Sequence, residues 1–149
     1  MLSQRGRYAL KALLNIARAR GETRQVSVIS EQEQIPRKFL ESIMSDLRRE
    51  GLVRSTRGNL GGYQLAKPAD LITFGEVVRI TDGPVAMLPC VSRAFYQRCE
   101  DCPDEHACAL RSLFSEVRDA AASILDNRTL ADALRDEEAD GRRLKSAAS

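Results

Sequence analysis

The chain has 149 residues, 43% of them hydrophobic and 30% charged, the balance of a soluble globular protein of one domain with an appendage. Its apolar runs are too short to cross a membrane, and Lys11, Asn15 and Arg18 interrupt what would be the core of an export signal. The net charge of +2 is uneven: residues 1–67 carry 13 Lys/Arg against 6 Asp/Glu, and residues 68–149 carry 10 against 15. The basic half is expected to face a polyanion. Without an export signal the expected compartment is the reducing cytoplasm, where structural disulfides are rare.

Residues 3–20 predict a helix. Ser3 can cap it, and Leu10, Leu13, Leu14 and Ala17 recur at helical spacing. Gly21 opens a polar break, and a short helix is expected over 26–33 with Val26 and Ile29 inward. Pro36 disfavours helical geometry at Ile35 but suits the first turn of a new helix. Phe39, Leu40, Ile43 and Leu47 form its apolar stripe and Gly51 its stop. Arg37, Lys38, Glu41, Ser42, Ser45 and Arg48 are left for its outer surface.

In "LVRSTRGNLGGYQLAKP", two β-prone runs flank a tip holding Gly58, Gly61 and Gly62, and Pro68 ends the second. A helix-turn-helix followed by a hairpin is a winged helix, so the expected fold is mainly α with one small β-hairpin. In such modules the second helix of the pair enters the major groove and flanking cations hold phosphates. Arg57 at the wing tip is placed for an adjacent minor groove. "GNLGG" lacks the Lys-Ser/Thr of a phosphate-cradling loop, so its glycines are read as turn residues.

"TFGEVVRITDGP" predicts a helix over 74–81 closed by Gly83-Pro84. Leu110, Leu113, Phe114, Val117, Ala121, Ile124 and Leu125 then mark a long amphipathic helix, expected to dimerise. Thr129 can cap a short last helix reaching 133 or 134, and "RDEEADGRRLKSAAS" reads as a mobile tail. The implied organisation is a DNA-binding domain over 1–83, a cysteine loop over 84–109, a dimerisation helix and short last helix over 110–134, and a disordered tail over 135–149.

Cys90, Cys99, Cys102 and Cys108 are the only cysteines, all within nineteen residues. Disulfides conflict with the expected compartment. A redox pair at "CEDC" is opposed by Glu100, Asp101, Asp104 and Glu105, which would raise thiol pKa values. A four-cysteine zinc site usually has two close pairs, and here only one pair is close. An iron–sulfur cluster tolerates irregular spacing. Spacing ranks the cluster first and leaves zinc and thiol redox open. His106, the only histidine, lies between ligand candidates, although a lone loop histidine is usually a surface residue.

"RGRYALKALLNIA", "FLESIMSDLRREGLVRSTRGNLGGYQLAKP" and "FGEVVRITDG" resemble the bacterial winged-helix regulators that include IscR, NsrR and RirA, over about residues 1–134. The resemblance implies a homodimer on double-stranded DNA with a palindromic operator, and in many members a [2Fe-2S] or [4Fe-4S] cluster on three cysteines ahead of the dimer helix. Cys90, Cys102 and Cys108 match those positions best; alternatively Cys99 is the middle ligand and Cys102 the extra one. The place of the IscR histidine ligand holds Arg111, and the place of the NsrR acidic ligand falls near Arg7, so neither fourth ligand is available. An all-cysteine site within one subunit is expected instead, with [2Fe-2S] favoured over [4Fe-4S] and zinc as the alternative. Pro36, Arg37 and Lys38 fall at the start of the recognition helix, Glu41 on a glutamate that selects among operators, and Arg57 on the wing arginine of the minor groove. Gln34 stands where many relatives have a turn glycine.

No enzyme is expected. The rival reading is a small iron–sulfur or dithiol electron carrier, which only the cysteines support. A second rival is the same regulator with zinc or a thiol switch as its sensor.

Overall fold

The computed structural model describes residues 1–148, with side chains through Gly141. In chain order it forms α1 (Gln4–Arg18), α2 (Val26–Glu33), α3 (Arg37–Arg49), β1 (Val53–Thr56), β2 (Gly62–Leu65), α4 (Phe74–Asp82), α5 (Ala109–Asp126) and α6 (Leu130–Ala148). No described helix is long and apolar enough to cross a membrane.

The core gathers one face from each of the first elements. Leu13 and Ile16 of α1, Ile29 of α2, Leu40, Ile43, Met44 and Leu47 of α3, and Leu52 before β1 are all buried. Val77 of α4 and Leu130 of α6 close it from the far side. Tyr8 and Phe39 meet edge to face at 5.5 Å and lock α1 onto α3. Met44 joins the apolar stripe expected of α3, and Phe39 sits at its partly buried margin.

The ends of the helices follow local chemistry. Ser3 Oγ accepts from the Gly6 amide at 2.9 Å and starts α1. Pro36 is the residue just before α3. Gly51, with φ +78°, supplies the left-handed turn after α3. Gln34 performs the same task after α2 with a side chain in place, at φ 54° and ψ 47°. Because the left-handed region is unfavourable for residues with a Cβ, Gln34→Gly is expected to stabilise the fold by about 0.5–1 kcal/mol. A rise in the urea midpoint at unchanged slope would register it; a fall would show that the Gln34 side chain matters more than its backbone.

β1 and β2 pair antiparallel, Val53 with Leu65 through Thr56 with Gly62. The hairpin does not stand alone: the Arg24 amide donates to the Tyr63 carbonyl at 2.9 Å, and the Tyr63 amide returns a bond to Arg24 at 2.7 Å. The wing is thereby tied to the chain entering α2.

α4 is bound on two sides. Asp82 at its end accepts from the Ser3 amide at 2.7 Å, and Gly6 lets α1 approach so closely that a Cβ there would lie 2.7 Å from Asp82 Oδ1. Arg79 donates to both carboxylate oxygens of Asp126, at 2.6 and 2.9 Å, joining α4 to the end of α5.

α5 has no fully buried residue. Leu110, Leu113 and Ile124 are 61%, 55% and 66% exposed, so much of the expected apolar stripe faces outward instead of packing on its own domain.

α6 corrects one expectation. Thr129 does cap it, in a reciprocal pair with Asp132: the Asp132 amide donates to Thr129 Oγ1 at 3.1 Å, and the Thr129 amide to Asp132 Oδ2 at 2.9 Å. The helix then runs on to Ala148, through the segment expected to be a mobile tail. Ala, Leu, Arg and Glu in that segment are strong helix formers. Partners distant in sequence hold its first turns: Arg18 donates to both carboxylate oxygens of Glu137, at 3.0 and 2.6 Å, and Arg20 pairs with Glu138 at 3.3 Å. Ser149 lies outside the described residues.

Candidate functional site

The outward face of α3 is built by default. Its buried stripe turns Leu40, Ile43, Met44 and Leu47 to the core, so the intervening positions must face solvent. Pro36, Arg37, Lys38, Glu41, Ser42, Ser45 and Arg48 are all exposed, as is Arg57 beyond β1. Two of the cations are already engaged. Arg37 donates from Nε to Glu41 Oε1 at 3.2 Å, one helical turn along. Arg48 reaches Ser55 of β1 at 3.4 Å, bridging helix and wing. Glu41 thus restrains Arg37 as well as presenting its own carboxylate, a role the sequence did not disclose.

The wing is braced by residues that sequence reading passed over. Gln25, the residue before α2, donates from its side chain to the Asn59 carbonyl at 3.2 Å and holds the wing tip against the helix-turn-helix. No local signal marks Gln25, because its partner is 34 residues away. Leu60, at the tip beside Asn59, is 91% exposed.

The second constellation is the loop between α4 and α5. Gly83, at φ +85°, releases the chain from α4. A single 3₁₀ turn, Pro89–Val91, carries Cys90 into a buried position. The Cys102 amide donates to the Cys99 carbonyl at 3.2 Å, closing the "CEDC" turn, and Arg98 donates to the Cys102 carbonyl at 2.9 Å. Tyr96 donates to Glu105 across the loop. Cys108 is the residue that starts α5.

All four cysteines are free thiols. The Cys99 thiol is pushed up from its ordinary range, first by its side-chain hydrogen bond with Cys90, then by burial and by charge at Cys90, Asp101 and Cys108. Cys99 and Cys90 share a side-chain hydrogen bond, and Cys102 follows Cys99 across the backbone turn. His106 is exposed, its amide bonded to Asp104 Oδ1 at 2.9 Å. Among the described residues no three His, Cys, Asp or Glu side chains are set to chelate a single metal ion. As donors, four thiols on one loop fit the chemistry of an iron–sulfur cluster, whose ligands grip separate iron atoms of a larger object. Arg111, three residues past Cys108, has its Nε buried without a hydrogen-bond partner.

The comparisons with known proteins bear on the fold and the family. The family model described as "Rrf2: Iron-dependent Transcriptional regulator" matches residues 2–136. An rrf2-like HTH-type transcriptional regulator of Rhodobacter capsulatus is 46% identical over 138 residues, 90% of this chain and 92% of that one. The structure of CymR, the global cysteine regulator of B. subtilis, is similar at a TM-score of 0.73 and 32% identity, covering 89% of this chain and 95% of that one. T. potens IscR is similar at a TM-score of 0.71 and 27% identity, covering 92% and 88%. These relatives are regulators of transcription and not enzymes, and the fold is their winged helix: the chain belongs to the Rrf2 family of transcriptional regulators.

Proposed function

We propose that the protein is a homodimeric cytoplasmic regulator of a palindromic operator, whose DNA affinity is set by an iron–sulfur cluster on Cys90, Cys99, Cys102 and Cys108. [2Fe-2S] is favoured over [4Fe-4S]. The observation that carries this reading is four free thiols on the one loop that leads into α5, with Cys99 hydrogen-bonded to Cys90. A bound cluster would supply a charged, redox-active centre sensitive to iron, oxidants or nitric oxide.

The remaining work falls to the chain. α3 enters the major groove with Arg37, Lys38, Glu41, Ser42, Ser45 and Arg48, its N-terminal residues at base edges and its cations on phosphates. Pro36 sets the start of that helix, and Arg57 reaches the minor groove from the wing. The exposed stripe of α5 packs against a second copy, so that two recognition helices face half-sites one turn of DNA apart. The Cys90–Cys99 contact also supports a second reading, in which reversible thiol oxidation replaces the cluster; zinc is the other occupant that suits the same donors.

The deciding measurement is iron, acid-labile sulfide and zinc per chain, with a visible spectrum, on anaerobically purified protein. Equal iron and sulfide with charge-transfer absorption is the expected result. Stoichiometric zinc without sulfide would make the loop a zinc site. No metal after anaerobic reconstitution would overturn the cluster and leave the DNA-binding reading standing with the thiol switch.

A further inference from the structure

The segment carrying the first cysteine is fastened to α5 at one well-defined place. Cys90, Val91 and Ser92 are 5%, 2% and 6% exposed, and their turn packs on α5. Arg118, near the middle of that helix, donates from Nη1 to the Val91 carbonyl at 2.5 Å, and its side chain is 17% exposed. The rest of its guanidinium is held by Asp119, Nε to Oδ1 at 2.8 Å, and the same oxygen accepts from Arg93 of the loop at 2.9 Å. A hydrogen bond from Arg118 keeps the Asp119 carboxyl below its usual range, more than offsetting burial, with help from the charges of Arg118 and Arg93. The carbonyl that Arg118 grips belongs to the residue next to Cys90.

From this point the contacts continue without a gap. Two turns further along α5, Asp126 grips Arg79 of α4. α4 is stapled to α1 by Asp82 and Ser3, and α1 meets α3 through Tyr8 and Phe39. A carbonyl held by a charged, partly buried donor is a stiff connection, because the guanidinium fork fixes direction as well as distance. Leaving that donor unpaired in its pocket is costly, so the bond either persists as the loop moves or is exchanged for another arrangement.

We propose that Arg118 is the positioning residue through which the state of the cysteines reaches the recognition helix, by locking the backbone beside Cys90 to the middle of α5. The inference rests on the regulatory reading above and extends it to a residue outside both the thiol set and the DNA-facing surface. The test therefore reads the coupling between the two sites and not only the stability.

The probe is a duplex that the wild-type protein selects from a randomised pool. Its Kd is measured by fluorescence anisotropy with protein reconstituted with iron and sulfide and with protein stripped by a chelator. The wild-type ratio of the two Kd values is expected to be about tenfold or more, a usual size for coupled sites. In Arg118→Met, which keeps an unbranched stem and loses every donor, the ratio is expected to fall close to one, with iron per chain unchanged. Arg118→Lys, which keeps the charge without the fork, should lie between. A wild-type ratio of one would remove the regulatory reading and this proposal with it. A large wild-type ratio retained in Arg118→Met would overturn the proposal alone. Should Arg118→Met fail to fold, Asp119→Ala decides: it frees the guanidinium from an exposed partner and is expected to lower the ratio, and an unchanged ratio would count against Arg118.

Discussion

Gly61→Ala is expected to abolish sequence-specific DNA binding and to cost about 1–3 kcal/mol of stability, the usual range for forcing a methyl group into a closed site. Gly61 is buried at the base of the wing tip, and its amide donates to the Gly58 carbonyl at 2.9 Å. A Cβ there would press on the Thr56 carbonyl and lie 2.8 Å from the Gly58 carbonyl and 3.0 Å from the Arg57 carbonyl carbon. All three are backbone atoms, so no side chain can swing away to make room. The turn must open, and Arg57 moves with it. Gly58→Ala is the control: its φ is +104° but nothing lies within 4 Å of its Cβ position, so it carries backbone strain without a collision. Anisotropy with the selected duplex, alongside urea unfolding, separates the two effects. A Gly61→Ala protein that binds like wild type would show that the wing tip takes no part in recognition.

Operator affinity is expected to fall by about three to five orders of magnitude between 50 and 200 mM salt, the loss typical of six to ten phosphate contacts. Arg37, Lys38, Arg48 and Arg57 from each of two copies supply that number, and all four are exposed. Condensed cations leave the duplex as these side chains arrive, and added salt opposes their release. Arg57→Ala should reduce the slope of log K against log salt by about one per subunit. Glu41→Gln should behave differently. It releases Arg37 from its 3.2 Å ion pair and removes a carboxylate from the contact face, so binding to random DNA should strengthen while discrimination weakens. A slope near zero would rule out phosphate-driven binding by this face.

The outward face of α3 was legible because it follows from short-range rules. The period of the apolar stripe in α3 determines which residues are left outside, and Pro36 and Gly51 mark the ends. Gly58, Gly61 and Gly62 announce the hairpin for different local reasons: a positive φ at Gly58, turn backbone pressing on Gly61, and the Arg24 backbone pressing on Gly62. What escaped the sequence depends on partners far along the chain. The extension of α6 is supported by Arg18 and Arg20, more than a hundred residues earlier, and a window reading sees only the charged composition of a tail. The brace from Gln25 to Asn59 and the hold of Arg118 on Val91 are likewise long-range and leave no local trace. The family resemblance favoured Cys102 as the middle member; the hydrogen bond between the Cys99 and Cys90 side chains, nine residues apart, is a contact that spacing alone does not reveal.

The bare face of α5 has a consequence for how the protein works in a cell. A helix of 18 residues that buries none of them fully leaves much of its apolar stripe for another surface. When a second copy covers that face, folding and pairing draw on a single equilibrium in which the number of molecules present is itself a variable. Abundance then acts as an input beside the chemical signal: dilute chains are less stable as well as less paired, and are exposed first to proteolysis. A cell would tune such a regulator's response by how many copies it keeps, with no change to any residue of the loop.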